Sequence, residues 1–215
     1  MWIKICGITS TENAQMVANS GVDAIGLNFF PRSKRFVSTV DAAALRQAAI
    51  NVEAVGVFVN HSPTDIAEIV QAVQLTAVQF HGDETAETIR EFHGMSPETE
   101  IIRAVRIGSD SPDRLRTVTD SLKDLHVPLK AVLVDAYVPG EYGGTGERVE
   151  PAWLKERDES VPLILAGGLK PENVSEAIAT IEPWGVDTAS GVETAPGIKD
   201  LTKVATFVRA AREHG

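Results

Sequence analysis

Eight short runs of apolar, largely β-branched residues recur along this chain, at 2–6, 23–29, 53–59, 77–80, 101–105, 131–135, 163–166 and 186–189. Most are separated by stretches with the periodicity of an amphipathic helix. Ser62-Pro63 opens one in which Ile66, Ile69, Val70 and Val73 share a face. Ser10 or Thr11 is placed to cap a helix over 12–19. Pro171-Glu172-Asn173 precedes Val174, Ala177, Ile178 and Ile181, and Asp200 precedes Leu201, Val204, Phe207 and Val208. The segment between Val105 and Ala131 reads less clearly as one helix. The runs are continuously apolar, as strands buried on both faces are. Eight strands with crossovers predict an α/β fold, a single (β/α)8 TIM barrel. No linker, charge block or low-complexity run divides the 215 residues, so one domain over 1–215 is expected. A doubly wound sheet gives a similar pattern, but Cys6-Gly7-Ile8-Thr9 does not supply its G-x-G-x-x-G fingerprint.

Charge limits the partners. The formal net charge of −10 argues against nucleic acid and anionic membranes, which need a basic surface. No apolar run approaches the roughly 18 residues of a membrane span. Met1-Trp2-Ile3-Lys4-Ile5-Cys6 lacks the basic region and long apolar stretch of a signal peptide. Cys6 is the only cysteine, so no intramolecular disulfide can form, and the cytoplasm is the expected compartment. A small anionic substrate remains compatible, held by backbone N–H groups, helix N-termini and one or two arginines. Monomer and homodimer both stay open.

The chemistry-bearing residues fall at the C-terminal ends of the predicted strands: Cys6, Asn28, Asn60, His81, Arg106, Asp135, Gly167-Gly168 and Ser190-Gly191. A barrel gathers those ends around one mouth, whereas an open sheet would keep several apart. Leu165-Ala166-Gly167-Gly168-Leu169 and Ala189-Ser190-Gly191-Val192-Glu193 follow the last two strands, where barrels often bind phosphate on backbone N–H groups. Pro139 to Gly146, containing Gly143 and Gly144, directly follows Asp135 and reads as a loop able to fold over a ligand. Within Pro31-Arg32-Ser33-Lys34-Arg35, an arginine can clamp a carboxylate through its planar fork. His81 can serve as acid, base or donor. Asp83 and Glu84 are expected to begin a helix and favour its dipole. No H-x-x-H, H-E-x-x-H or spaced Cys/His cluster is present, so no metal site is expected. Cys6 and Asp135 make an acid–base pair suited to moving protons on a sugar.

Taken in order, several motifs resemble phosphoribosylanthranilate isomerase of tryptophan biosynthesis. They are Lys4-Ile5-Cys6-Gly7-Ile8-Thr9, Gly26-Leu27-Asn28-Phe29 with the basic cluster, Val55-Gly56-Val57-Phe58-Val59-Asn60, and Val78-Gln79-Phe80-His81-Gly82. Leu133-Val134-Asp135, Gly143-Gly144-Thr145-Gly146, Ala166-Gly167-Gly168-Leu169 with Pro171-Glu172-Asn173-Val174, and Ser190-Gly191-Val192-Glu193 with Pro196-Gly197 and Lys199-Asp200 complete the set. The resemblance implies a (β/α)8 fold and an Amadori rearrangement without cofactor. N-(5-phosphoribosyl)anthranilate, a phosphosugar, would become 1-(2-carboxyphenylamino)-1-deoxyribulose 5-phosphate. It makes Asp135 the general acid, Cys6 the general base and Arg35 the holder of the anthranilate carboxylate. The implied substrate-binding set is Arg35, His81, Gly143, Gly144, Gly167, Gly168, Ser190 and Gly191, with phosphate at the loops around Gly168 and Gly191. Phe80 and the segment 149–153 depart from the family's usual residues. Relatives that also isomerise the histidine-pathway aminoaldose typically carry aspartate in place of Cys6. Rival readings are another phosphosugar barrel, such as an epimerase or indole-glycerol-phosphate synthase, and a barrel that binds phosphosugars without catalysis. No lysine acid stands at a strand end as the synthase would need.

A further expectation comes from alternation. If Cys6 points into the mouth, Lys4 points inward one layer deeper. An ammonium there needs a partner. The neighbouring strands carry Asp187 and Asp23 as the only acidic residues within their apolar runs, so one or both should pair with Lys4.

Overall fold

The structure, a computed structural model, describes residues 1–107, 113–135, 154 and 160–214. Its strands are β1 (Trp2–Cys6), β2 (Ala24–Asn28), β3 (Glu53–Phe58), β4 (Ala77–Phe80), β5 (Glu100–Arg106), β6 (Ala131–Asp135), β7 (Leu163–Ala166) and β8 (Gly185–Thr188). They close into one parallel barrel in chain order, with β1 between β8 and β2. The described helices are α1 (Thr11–Ala18), α2 (Thr39–Ala48), α3 (Pro63–Val73), α4 (Ala86–Met95), α5 (Arg114–Asp124), α6 (Val174–Ile181) and α7 (Leu201–His214). This is the (β/α)8 barrel that the apolar periodicity predicts.

Local chemistry sets the helix starts. The hydroxyls of Ser10, Ser38, Ser62 and Thr85 accept from the backbone N–H three residues on, at the N-termini of α1 to α4. The Asp200 carboxylate does the same for Thr202 and Lys203. Among the described residues of the 105–131 segment, only Arg114–Asp124 is helical, and it buries no more than Leu115, Thr119 and Leu122. So narrow an apolar stripe explains why the sequence pattern is weak there.

Alternation along the strands sorts the core into two layers. Outward residues such as Ile3, Ile5, Ile25, Val78, Val132 and Val186 pack against the helices. Inward residues, among them Trp2, Ala24, Val55, Ile102, Leu133 and Ile164, fill the barrel. The N-terminal end is sealed by Trp2, stacked on Trp184 at 5.3 Å, and by Lys130, which reaches Glu53 at 2.8 Å and Glu100 at 2.5 Å.

Lys4 stands inside the barrel with no exposed surface, its Nζ 2.9 Å from Asp187 Oδ1. The two residues are register partners across the β1–β8 seam. The contact is an ion pair without the angles of a well-aligned hydrogen bond. Asp23 takes no part in it. Asp23 lies just before β2, where its carboxylate accepts from Ile3 N–H and from Arg212 at 2.8 Å each.

One other expectation changes, and one element carries no signal in the sequence. Glu84 does not serve the α4 dipole; it is buried and paired with Arg103 at 2.8 Å, and it accepts from the backbone N–H of Asn60 and Gly82. Arg103 points outward from β5 and also donates to the carbonyls of Phe80, Gly82 and Glu84. A small antiparallel hairpin, β9 (Glu193–Ala195) and β10 (Ile198–Lys199), follows β8. Its strands are too short to show a period, and Pro196 lies between them.

The seam pair makes an asymmetric prediction about stability. Asp187→Ala leaves the Lys4 ammonium buried without its counter-ion and should cost about 3 kcal/mol or more. Lys4→Met replaces the cation with an apolar chain of similar length and should cost clearly less. Equal losses in urea or thermal unfolding would show that the pair is not what holds the ammonium in place.

Candidate active site

Cys6 ends β1 and Asp135 ends β6, three strands apart around the ring through β8 and β7. They therefore look at each other across the C-terminal mouth. His81 follows β4, Gly167-Gly168 follow β7, and Ser190-Gly191 follow β8. Arg35 arrives from the connection between β2 and α2. Gly143 and Gly144, with the expected covering loop, lie outside the described residues. The structure thus gathers every described member of the expected set at one end of the barrel.

Two glycines make room for Cys6. A Cβ on Gly26, the register partner of Cys6, would stand 2.7 Å from the thiol sulfur. Gly7 has a φ of 78°, and a Cβ there would collide with the Arg35 side chain at 2.3 Å. The stem of Arg35 therefore lies directly over the residue after Cys6. Lys4, Arg35 and Lys199 all interact electrostatically with the thiol. The thiol itself is partly exposed at the mouth. Burial works against the Lys4 charge, but Asp187 and then Cys6 outweigh it, and its pKa rises above the ordinary ammonium value.

Asp135 has different surroundings. The Asp135 side chain reaches solvent at the mouth, yet the barrel wall strips enough hydration to push its carboxyl above the usual range. Asp187 pushes in the same direction; His81 and Arg106 oppose it. His81 is held low chiefly by burial, which favours the neutral ring. Its Nδ1 lies 2.7 Å from Gln79 Nε2. With Gln79 donating, the ring proton sits on Nε2 and His81 offers a donor to a ligand.

Residues of the two glycine loops, together with Lys170, Glu172 and Lys203, line a cleft of about 370 Å³. Gly167 and Gly168 take φ values of 88° and 63°. Gly191 packs so close to the Leu169 carbonyl that a Cβ would stand 1.9 Å from it, and Thr188 Oγ1 donates to the same carbonyl at 2.6 Å. The two loops are locked together, and the cleft presents glycine backbone and two ammonium groups, a combination suited to a phosphate.

Sequence reasoning missed Glu193 and Lys199. Glu193 holds the Arg35 guanidinium with both oxygens, Oε1 on Nε at 2.8 Å and Oε2 on Nη2 at 2.6 Å. Lys199 Nζ donates to Glu193 Oε1 at 2.7 Å, to the Cys6 carbonyl at 2.6 Å and to the Ala189 carbonyl at 3.1 Å. Burial pushes the Lys199 pKa down, but three acceptors require three N–H donors, so the group is an ammonium. Burial also works against the Glu193 charge, but Arg35 and Lys199 outweigh it and hold its carboxyl below the ordinary value. Arg35 and Glu193 lie 158 residues apart in the chain. Only closure of the barrel brings them together, and no local pattern announces it.

The model of the N-(5'-phosphoribosyl)anthranilate (PRA) isomerase family matches residues 3–210. The N-(5'-phosphoribosyl)anthranilate isomerase of Myxococcus xanthus is 42% identical over 213 residues, covering 98% of this chain and 95% of that protein. The solved phosphoribosyl anthranilate isomerase from Thermotoga maritima is 36% identical with a TM-score of 0.82, over 99% of both chains. A phosphoribosyl anthranilate isomerase solved with reduced 1-(o-carboxyphenylamino)-1-deoxyribulose 5-phosphate is 33% identical with a TM-score of 0.79, again over 99% of both. The chain belongs to the PRA isomerase family.

The raised Asp135 pKa has a stability consequence. In the unfolded chain the carboxyl ionises near its ordinary value of 3.8, whereas in the fold ionisation is harder. Above the unfolded value, the ionised carboxylate therefore weighs against the folded state. Asp135→Asn should be more stable than the parent at neutral pH, and its advantage should fade as pH drops towards about 4. Urea unfolding at several pH values tests this; an advantage independent of pH would point away from the charge.

Proposed function

We propose that this member of the PRA isomerase family catalyses the Amadori rearrangement of N-(5-phosphoribosyl)anthranilate by general acid and base catalysis from Asp135 and Cys6. The product is 1-(2-carboxyphenylamino)-1-deoxyribulose 5-phosphate, and the pathway is tryptophan biosynthesis. The observation that carries the reading is the placement of a thiol among cations and a carboxyl of raised pKa on opposite walls of one mouth. The glycine cleft lies beside them.

The steps balance without an added reagent. Protonated Asp135 gives its proton to the furanose ring oxygen, the bond from that oxygen to C1 breaks, and C1 and the anthranilate nitrogen form a Schiff base. The Cys6 thiolate removes the proton from C2, and the electron pair moves through C1 to the nitrogen. The resulting enolamine becomes the ketone when C1 is protonated and the C2 hydroxyl loses its proton. Arg35 binds the anthranilate carboxylate, His81 contributes a donor at the mouth, and Gly167, Gly168, Ser190 and Gly191 hold the phosphate. The relative solved with the reduced product supports this orientation, since that ligand carries a carboxylate at one end and a phosphate at the other. The acid–base pair distinguishes the reading from one in which the barrel only binds phosphosugars. The single thiol suits the reducing cytoplasm.

Cys6→Ala should lower kcat by at least roughly 10²-fold, the scale of one positioned base. Iodoacetamide should inactivate the parent, with bound product protecting it. Asp135→Asn should lower kcat strongly with little change in KM, because the lost proton transfer belongs to the transition state. Turnover is followed by loss of substrate fluorescence. Near-normal kcat in either variant removes that residue from the mechanism.

A further inference from the structure

We infer that Glu193 is a positioning residue that grips one edge of the Arg35 guanidinium and so presents the other edge, ready-made, to the ligand's carboxylate.

The argument starts from the shape of guanidinium. It carries five N–H donors in a plane, arranged as two bidentate edges. One edge is Nε–H with the nearer N–H of Nη2; the other is Nη1 with the farther N–H of Nη2. Glu193 takes the first edge at 2.8 and 2.6 Å. The second edge is left whole, and Nη1 makes no hydrogen bond among the described residues. Arg35 retains 24% of its side-chain surface, whereas Glu193 retains only 5%. The carboxylate is thus the buried anchor, and the guanidinium is the exposed end that it steers.

The anchor is itself fixed. Glu193 Oε1 also accepts from Lys199 Nζ at 2.7 Å and from Gly197 N–H at 3.1 Å. Lys199 ties the same oxygen to the Cys6 carbonyl at 2.6 Å. Meanwhile the Arg35 stem rests on Gly7, where no side chain intervenes. Arg35 is therefore held from below by Gly7 and from the side by Glu193, in a fixed relation to the residue bearing the thiol. An arginine free to rotate would lose that freedom on binding; this one has already lost it. This inference rests on the reading of Arg35 as the carboxylate clamp.

Glu193→Gln separates the grip from the scaffold. Three donors converge on Oε1, so the amide oxygen stays there and the amide nitrogen replaces Oε2. That nitrogen then faces Nη2, donor against donor, and the two-point grip fails while the Lys199 and Gly197 contacts survive. A charged hydrogen bond of this kind lost from the clamp should raise KM, and the Kd of the reduced product, roughly tenfold or more. Expected values of kcat and of inhibition by inorganic phosphate stay close to the parent's. In an Arg35→Lys background, which has no planar fork to orient, Glu193→Gln should add little further loss. Should Glu193→Gln fail to fold, Glu193→Asp keeps the charge for Lys199 but withdraws it from Arg35, and the same comparisons apply. An unchanged Kd, an equal loss in the Arg35→Lys background, or a fall in kcat at constant KM overturns the inference. If Arg35→Lys alone leaves binding unaltered, the clamp reading fails instead. A silent Glu193→Gln beside a damaging Arg35→Lys removes only the role given to Glu193.

Discussion

The ammonium of Lys4, sealed from water inside the barrel, is the constraint around which the mouth is organised. Such a charge is tolerated only against a fixed anion, and the anion sits on the adjacent strand β8, at Asp187. The pair consequently ties the first strand to the last at the seam where the barrel closes. It also fixes register. A slip of β1 by one residue would turn Lys4 out among the aliphatic side chains beneath the helices, and would turn Cys6 away from the mouth with it. Register is the best-attested use of a buried ion pair. Here the residue whose register matters most is two positions further along the same strand.

The other buried ion pairs act at the same end. Arg103 and Glu84 stand outside the barrel wall, where their hydrogen bonds take in the backbone of Asn60, Phe80 and Gly82. That fixes the turn from which His81 enters the mouth. Lys199 and Glu193 join the ends of β1 and β8 to the hairpin that follows. By contrast, the N-terminal end is closed with stacked indoles and the Lys130 cluster, which keep water out of the barrel floor. Conformational freedom is removed where reactive groups must be aimed, and it is removed by charge rather than by apolar packing. Charges fix direction as well as distance, which apolar contacts do not.

The sequence was most legible where its signal is periodic or terminal. The eight apolar runs match the eight barrel strands to within two residues at each end, because strands buried on both faces have few polar positions to blur them. Strand-end placement also located Cys6, Asp135, His81 and the glycine loops, since closure converts linear position into proximity. Alternation exposed Lys4 and offered Asp187 as its partner. It could not exclude Asp23, which lies just outside β2 and turns its carboxylate to the backbone of Ile3. Glu193 and Lys199 were beyond reach for a different reason. Each sits in a short hairpin with no period, and each has its partners on distant segments. Glu84 misled because an acidic residue just before a helix has an ordinary explanation in the dipole, while its actual partner, Arg103, is an arginine hidden on an apolar strand.

The electrostatic arrangement gives Cys6 and Asp135 very different surroundings within one small mouth. At the β1 side, Lys4, Arg35 and Lys199 interact with the thiol; Lys4 is paired with Asp187, and Arg35 and Lys199 share Glu193. At the β6 side, desolvation dominates and Asp187 adds its negative charge, so the Asp135 carboxyl keeps its proton more readily. Asp187 therefore acts on both: it holds the cation that lies under Cys6 and its charge disfavours ionisation of Asp135. The ion pair that sets the register of the fold thus also shapes the charge around both sides of the mouth.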